Sequence, residues 1–76
     1  MRATPSARAG RGNLVVNSMP LAEVFVDGRR RGRTPIPRLA LPAGRHQIEL
    51  RTSDGRTYRE TVDLEAGTTA RVIHRF

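Results

Sequence analysis

The sequence predicts an all-β protein, a small antiparallel β-sandwich of about seven short strands behind a disordered N-terminal tail. Three observations predict it. From Asn13 onward, short apolar runs are separated by Gly, Pro, Asp and Ser signals at roughly the spacing of small sandwich strands. Within the runs the apolar residues fall on alternate positions, the period of a strand with one buried face. No apolar repeat of helical period is long enough to make a helix that would cover such a sheet.

Length and charge bound the rest. The chain has 76 residues, a net charge of +7, no cysteine and no tryptophan. A chain this size buries only roughly 60% of the surface its unfolded form exposes, which leaves little room for a deep catalytic cleft. Without cysteine there is no disulfide framework, no Cys-type zinc site and no thiol nucleophile, and the redox compartment stays open. No window approaches the roughly 18 consecutive apolar residues of a membrane span, and the start lacks the apolar stretch of a signal peptide. The expectation is a soluble chain, cytoplasmic if it is a complete protein and from the cell envelope if it is an excised domain. All 14 basic residues are arginine, which reads first as the codon usage of a GC-rich genome and second as a selected anion-binding surface.

Residues 1–12, small, polar and basic, read as a tail or linker and carry Arg2, Arg8 and Arg11. The β-sandwich body expected over residues 13–76 keeps the other arginines. Strands are expected at about Asn13 to Ser18, Ala22 to Val26, Arg30 to Gly32, Arg38 to Leu41, Arg45 to Thr52, Thr57 to Leu64 and Thr69 to Arg75. In Glu23 to Asp27 the valines share one face. Along the later strands His46, Ile48 and Leu50 oppose Gln47, Glu49 and Arg51, while Tyr58, Val62 and Leu64 oppose Arg59, Thr61 and Asp63. That count leaves Glu60 on the apolar side near an edge. Asp27-Gly28 and Ser53-Asp54-Gly55 supply the positive φ of tight hairpin turns. Thr34-Pro35-Ile36-Pro37 lacks a ladder donor at each proline and reads as a crossing between sheets or an edge. Leu41-Pro42-Ala43-Gly44 is a turn into the longest strand. The predicted core is Leu14, Val16, Val24, Val26, Leu39, Leu41, Ile48, Leu50, Val62, Leu64 and Val72.

The order of these signals resembles the PEGA domain family. The residues that carry the resemblance are Gly12 to Ser18, Pro20 and Ala22 to Gly28, then Gly32-Arg33-Thr34-Pro35, then Leu41-Pro42-Ala43-Gly44-Arg45-His46. The matching motif positions are Pro20, Ala22, Asp27, Gly28, Gly32, Thr34, Pro35, Leu41, Pro42, Gly44 and His46. At the name-giving motif this chain reads Pro20-Leu21-Ala22, one residue shorter and without its glycine. The resemblance implies a small β-sandwich module of bacterial and archaeal cell-surface proteins, often appended to serine/threonine kinases, with no enzymatic activity and no catalytic residue to carry over.

Candidate chemistry is sparse. Gly28-Arg29-Arg30-Arg31-Gly32-Arg33-Thr34 imitates a phosphate-binding loop. Its glycines are one residue too close, arginine replaces the lysine, and Pro35 and Pro37 forbid the helix whose N-terminus would face the phosphates. Arg29, Arg30, Arg31 and Arg33 remain as a candidate anion-binding cluster, with Arg29, Arg31 and Arg33 expected on one face. The alternative is a solvated hairpin that protects an edge. Phe25, Tyr58 and Phe76 are too few and too scattered for base stacking, which argues against sequence-specific nucleic-acid binding. His46 and His74 are the imidazoles, and with carboxylates spread along the strands no metal or cofactor is expected. His46 reads as a half-buried sheet residue. Asp54, Asp63 and Glu65 would suit calcium, but Arg56, Arg59 and Arg71 make surface pairing the simpler reading. Arg33-Thr34-Pro35 would suit phosphorylation, and is read more simply as the crossing. No serine or threonine has a nucleophile elbow or a His/Asp pair beside it.

The functional expectation is therefore a non-catalytic interaction module that meets a protein partner, or itself, through a strand edge. The final strand is the candidate edge, because nothing follows it to cover it. A general binder of anionic polymers or surfaces and a passive spacer are the alternatives. A small-molecule substrate is not expected.

Overall fold

The computed structural model describes residues 10–76. Most of the tail expected over residues 1–12, with Arg2 and Arg8, lies outside the described residues. Seven strands follow in order: β1 Arg11–Met19, β2 Ala22–Val26, β3 Arg29–Arg33, β4 Ile36–Pro42, β5 Gly44–Thr52, β6 Thr57–Leu64 and β7 Thr69–Arg75. They form a three-stranded sheet in the order β4-β1-β7 and a four-stranded sheet in the order β3-β2-β5-β6. The described chain has no helix, and among the described residues none is long and apolar enough to cross a membrane.

The strand runs fall where the alternation puts them. Ala22–Val26, Thr57–Leu64 and Thr69–Arg75 match the expected bounds, and β1, β3, β4 and β5 each extend beyond theirs. Both Asp-Gly hairpins form. Asp27 takes a left-handed backbone (φ 52°) with Gly28 behind it at φ 87°, joining β2 to β3. Between β5 and β6 the Thr52 hydroxyl donates to the Asp54 carboxylate and receives the Arg56 N–H at 3.0 Å. The Thr52 hydroxyl and then the Arg56 guanidinium hold the Asp54 carboxyl down at about 2.

Thr34-Pro35 is the crossing from β3 to β4, and Ala43 carries the chain back from β4 to β5. The Met19–Pro20 and Thr34–Pro35 peptide bonds are both cis. Pairings are antiparallel except β1 with β7, which run parallel from Asn13↔Thr69 to Met19↔Arg75 without interruption.

The inner faces of the two sheets enclose Leu14, Val16, Ala22, Val24, Val26, Leu41, Ile48, Leu50, Leu64 and Val72. Leu39 and Val62, predicted as core, are only half-buried and pack against it. Both lie on edge strands, β4 and β6, where one flank has no neighbour. Ala22 was not predicted; it is buried because it shares the inward parity of Val24 and Val26 on β2. At Gly12 the backbone passes so close to β6 that a Cβ would stand 2.7 Å from Leu64 Cγ and 2.8 Å from the Glu65 carbonyl oxygen.

Candidate functional site

The motif positions resolve into two sets of hydrogen bonds that close the fold. In the first, the Thr34 hydroxyl is buried, 2% exposed, and accepts the Ala22 N–H at 2.9 Å. The Ser18 hydroxyl donates to the Pro20 carbonyl at 2.8 Å, so the 2.9 Å contact between Ser18 and Thr34 is a bond that Thr34 donates. A single threonine thus ties β1, the Pro20 turn and β2 to the crossing. Its hydroxyl is fully engaged, which rules out the phosphorylation reading of Arg33-Thr34-Pro35 in the folded state.

In the second set, the Asp27 carboxylate accepts the Gln47 N–H at 2.9 Å and contacts His46 Nδ1 at 2.6 Å. His46 Nε2 meets the Pro42 carbonyl at 2.7 Å. Both ring nitrogens face acceptors, which the doubly protonated ring satisfies and a neutral ring cannot. Burial pushes the His46 pKa down, but the Pro42 and Asp27 hydrogen bonds outweigh it, and the net shift is upward. Burial likewise pushes Asp27 up, the Gln47 N–H and His46 pull it down, and the net is downward. Asp27 of one motif and Pro42 and His46 of another are therefore one clamp across two turns. His46 is half-buried as expected; its partners were not foreseen.

The arginine hairpin differs from its expectation. β3 pairs with β2 as Glu23↔Arg33, Val24↔Gly32, Phe25↔Arg30 and Val26↔Arg29, with a register shift that makes Arg31 the extra residue of a bulge. Arg30 and Arg33 consequently share the outer face with Phe25 and Glu23, while Arg29 takes the parity of Val26. Arg29, Arg31 and Arg33 do not share one face. Arg30 is tied to Glu23 at 3.2 Å. On the same outer face Arg51 bonds Glu49 at 2.7 Å and lies 4.1 Å from the centre of the Phe25 ring, and Arg59 reaches Glu49 at 3.6 Å. The Arg51 hydrogen bond is the main reason that the Glu49 pKa is lowered. A groove of about 470 Å³ opens beside this face between Leu21, Glu23, Arg33, Arg51 and Ser53.

Tyr58 and Phe76, too scattered in sequence to matter, come together in the fold. The Tyr58 ring stacks on His74 with centroids 3.7 Å apart and planes at 10°, and His74 meets Phe76 edge-on at 4.6 Å. Tyr58 donates its hydroxyl to Glu60 at 2.7 Å, and that bond raises the phenol pKa. These side chains seal the seam between β6 and β7, the outer strands of the two sheets on one side of the sandwich. Phe25 stays apart under Arg51. Among the described residues no three of His, Cys, Asp or Glu come together in a group that could hold a metal ion. Asp54 pairs with Arg56 at 3.0 Å, as expected of an ordinary surface carboxylate.

Among the described residues four strands have a flank without a paired neighbour: β3, β4, β6 and β7. β3 is bulged at Arg31. β4 contains Pro37 and Pro42 and its pairing with β1 shifts register. β6 turns Glu60 inward opposite Ile48. Each is a recognised way of blunting an edge. β7 carries no proline, no register shift and no inward carboxylate. Phe76 N–H donates to the Met19 carbonyl and Asn13 N–H to the Thr68 carbonyl, both at 2.9 Å. Continuing that alternation points Ala70, Val72 and His74 at β1 and leaves the N–H and C=O groups of Thr69, Arg71, Ile73 and Arg75 facing away from the sheet.

These features define a small β-sandwich module whose motif side chains hold turns and crossings together, with its unspent groups on an open strand. The chain belongs to the PEGA domain family: the family model described as PEGA domain matches residues 11–76, nearly the whole chain. PEGA domains are generally non-catalytic modules. No curated protein and no solved structure matches the chain significantly.

Proposed function

We propose that this PEGA domain is a protein-interaction module that receives an extended segment of a partner along the outer edge of β7. The observation that carries the reading is the contrast between edges. Three of them hold devices that discourage pairing, and β7 offers four regularly spaced residues with outward main-chain groups. Main-chain hydrogen bonds supply affinity in such strand addition, and side chains at alternate positions supply selectivity. In a cell-surface or kinase polypeptide, the settings that the family resemblance implies, a domain of this kind holds two chains or two domains together. The polyanion reading is less well supported, because the bulge splits the hairpin guanidiniums and Glu23 already engages Arg30.

The test is selection of binders from a displayed library of extended peptides, followed by amide exchange on the complex. The amides of Arg71 and Ile73 gain protection when a selected peptide binds, whereas those of Ala70, Val72 and His74, already bonded to β1, change little. Arg71→Pro removes one outward donor at an exposed position and abolishes binding. Selected peptides that bind Arg71→Pro as well as the native domain, or that protect amides elsewhere, refute the reading.

A further inference from the structure

Charge is divided unequally between the two sheets. The strands of the three-stranded sheet, β1, β4 and β7, contain Arg11, Arg38, Arg71 and Arg75 and not one aspartate or glutamate. The carboxylates of the strands all stand on the other sheet, where Glu23 and Glu49 engage Arg30, Arg51 and Arg59. On the outer face of β7, Arg71 and Arg75 flank Ile73, and their neighbours on β1 are Val15, Asn17 and Met19. Neither arginine forms an ion pair among the described residues. Ile73 and Met19 are 66% and 64% exposed. The edge read above as a strand acceptor is thus bordered by two unengaged guanidiniums, spaced four residues apart with an exposed isoleucine between them.

From this we infer that the segment β7 receives is acidic, with carboxylates four residues apart and an apolar residue midway, and that it is not a second copy of this chain. This rests on the strand-addition reading and adds the chemistry of the partner. In an added strand, side chains directly opposite Arg71 and Arg75 come within about 5 Å, Cβ to Cβ, the range in which cross-strand opposite charges attract. The midway residue then lies against Ile73, beside the shallow groove of about 160 Å³ formed by Asn17, Met19, Ile73 and Arg75. The intervening side chains turn toward the seam closed by Tyr58, His74 and Phe76, which favours small or apolar residues there.

A second copy fits poorly. Any two-fold antiparallel pairing of β7 with itself places Arg71 and Arg75 of both copies on one face, directly opposite or diagonally adjacent, and like charges so placed repel.

The experiment uses fluorescence anisotropy with three labelled nine-residue peptides. One alternates polar with valine residues and carries glutamates four apart; the second has glutamine at those positions; the third keeps the glutamates but has a central proline. Each is titrated against the native domain, Arg71→Pro, and the Arg71→Gln/Arg75→Gln double variant, at low and high salt. The acidic peptide is expected to bind the native domain roughly tenfold more tightly than the glutamine peptide at low salt, with the difference shrinking as salt rises. The double variant, altered only at exposed positions, erases that difference.

Equal binding of the acidic and glutamine peptides to the native domain overturns the acidic inference and leaves strand addition standing. Acidic binding that is indifferent to the central proline and to Arg71→Pro overturns strand addition itself, and heparin competing equally well then identifies a general polyanion surface. Dimers that persist in light scattering and are dissolved by Arg71→Pro overturn the exclusion of a second copy.

Discussion

The clamp between His46 and Asp27 makes a stability prediction with a definite pH signature. The perturbation is Asp27→Asn. Asparagine tolerates the left-handed backbone at this position (φ 52°), and its side-chain oxygen still accepts the Gln47 N–H. The exchange removes the charge and turns the amide NH2 toward His46 Nδ1, a donor that a neutral ring nitrogen can accept and an imidazolium N–H cannot. In the native domain the imidazolium satisfies both the Asp27 carboxylate and the Pro42 carbonyl. Because the folded pKa of His46 is raised above 6.5, its contribution is complete below 6.5 and is lost as pH rises through the folded value. Because the folded pKa of Asp27 is lowered below 3.8, its contribution is present above 3.8 and is lost as pH falls through the folded value. The clamp is strongest between those two limits.

A hydrogen bond to a charged group contributes roughly 1.5–3 kcal/mol. The His46 side chain is only 11% exposed but that of Asp27 is 49% exposed, and screening there brings the expected loss down to about 1–1.5 kcal/mol at pH 5.5. In a domain of this size that is a drop of roughly 4–12 °C in Tm. As pH rises through the raised folded pKa of His46 the ring loses its proton, Nδ1 accepts from the asparagine amide, and the deficit closes. Thermal melts followed by circular dichroism from pH 4 to 9 measure it. A deficit at pH 9 as large as that at pH 5.5 would show that His46 folds neutral and that the clamp is not ionic.

Other positions respond in distinct ways. Thr34→Val keeps the shape but strands the buried Ala22 N–H, and urea denaturation should show a loss of about 2–3 kcal/mol, whereas Thr34→Ser, which keeps the hydroxyl, loses roughly 1 kcal/mol. Gly12→Ala drives a methyl against Leu64 and the Glu65 carbonyl, and the same measurement should register a loss of about 1–3 kcal/mol. Arg71→Pro should melt within a few degrees of the native domain while Val72→Pro, at a position 1% exposed with its N–H turned to β1, leaves no cooperative melt. Arg71→Glu with Arg75→Glu should keep the native Tm, since surface exchanges cost within about 0.5 kcal/mol, and should transfer the peptide preference from glutamate to lysine in the anisotropy assay.

How much of this was legible in the sequence depends on the range over which each feature is set. Strand runs and facing were legible because alternation is local: Val24 and Val26, or Ile48 and Leu50, declare a buried face by themselves. The half-burial of Leu39 and Val62 was not, because it follows from the sheet order that makes β4 and β6 edges. The bulge at Arg31 had one local signal that alternation alone passes over, Gly32 beside it inside the strand at φ 143°, and the bulge reverses the expected grouping of the hairpin arginines. His46 was placed correctly by alternation, but its partner is 19 residues away in a turn, and only the pairing of β2 with β5 brings Asp27 beside it. Tyr58, His74 and Phe76 meet across two sheets, where no strand pairing announces the contact. The final strand was legible as a candidate edge, yet Val72 and Arg71, equivalent in sequence as sites for a proline, are distinguished only by the phase of the β1–β7 ladder.

The family signature and the proposed interaction draw on different residues. Pro20, Ala22, Asp27, Thr34, Pro42 and His46 are occupied with one another in the two hydrogen-bonded closures, so a chain that keeps them keeps the scaffold. Such residues cannot also select a partner, because their polar atoms are already bonded. Selection is left to positions whose side chains the fold does not use, and on β7 those are Arg71, Ile73 and Arg75, whose main-chain groups also face outward. Exchanging them alters no inward contact. On the proposed reading of β7, the residues that choose the partner strand lie outside the motif by which the family is recognised.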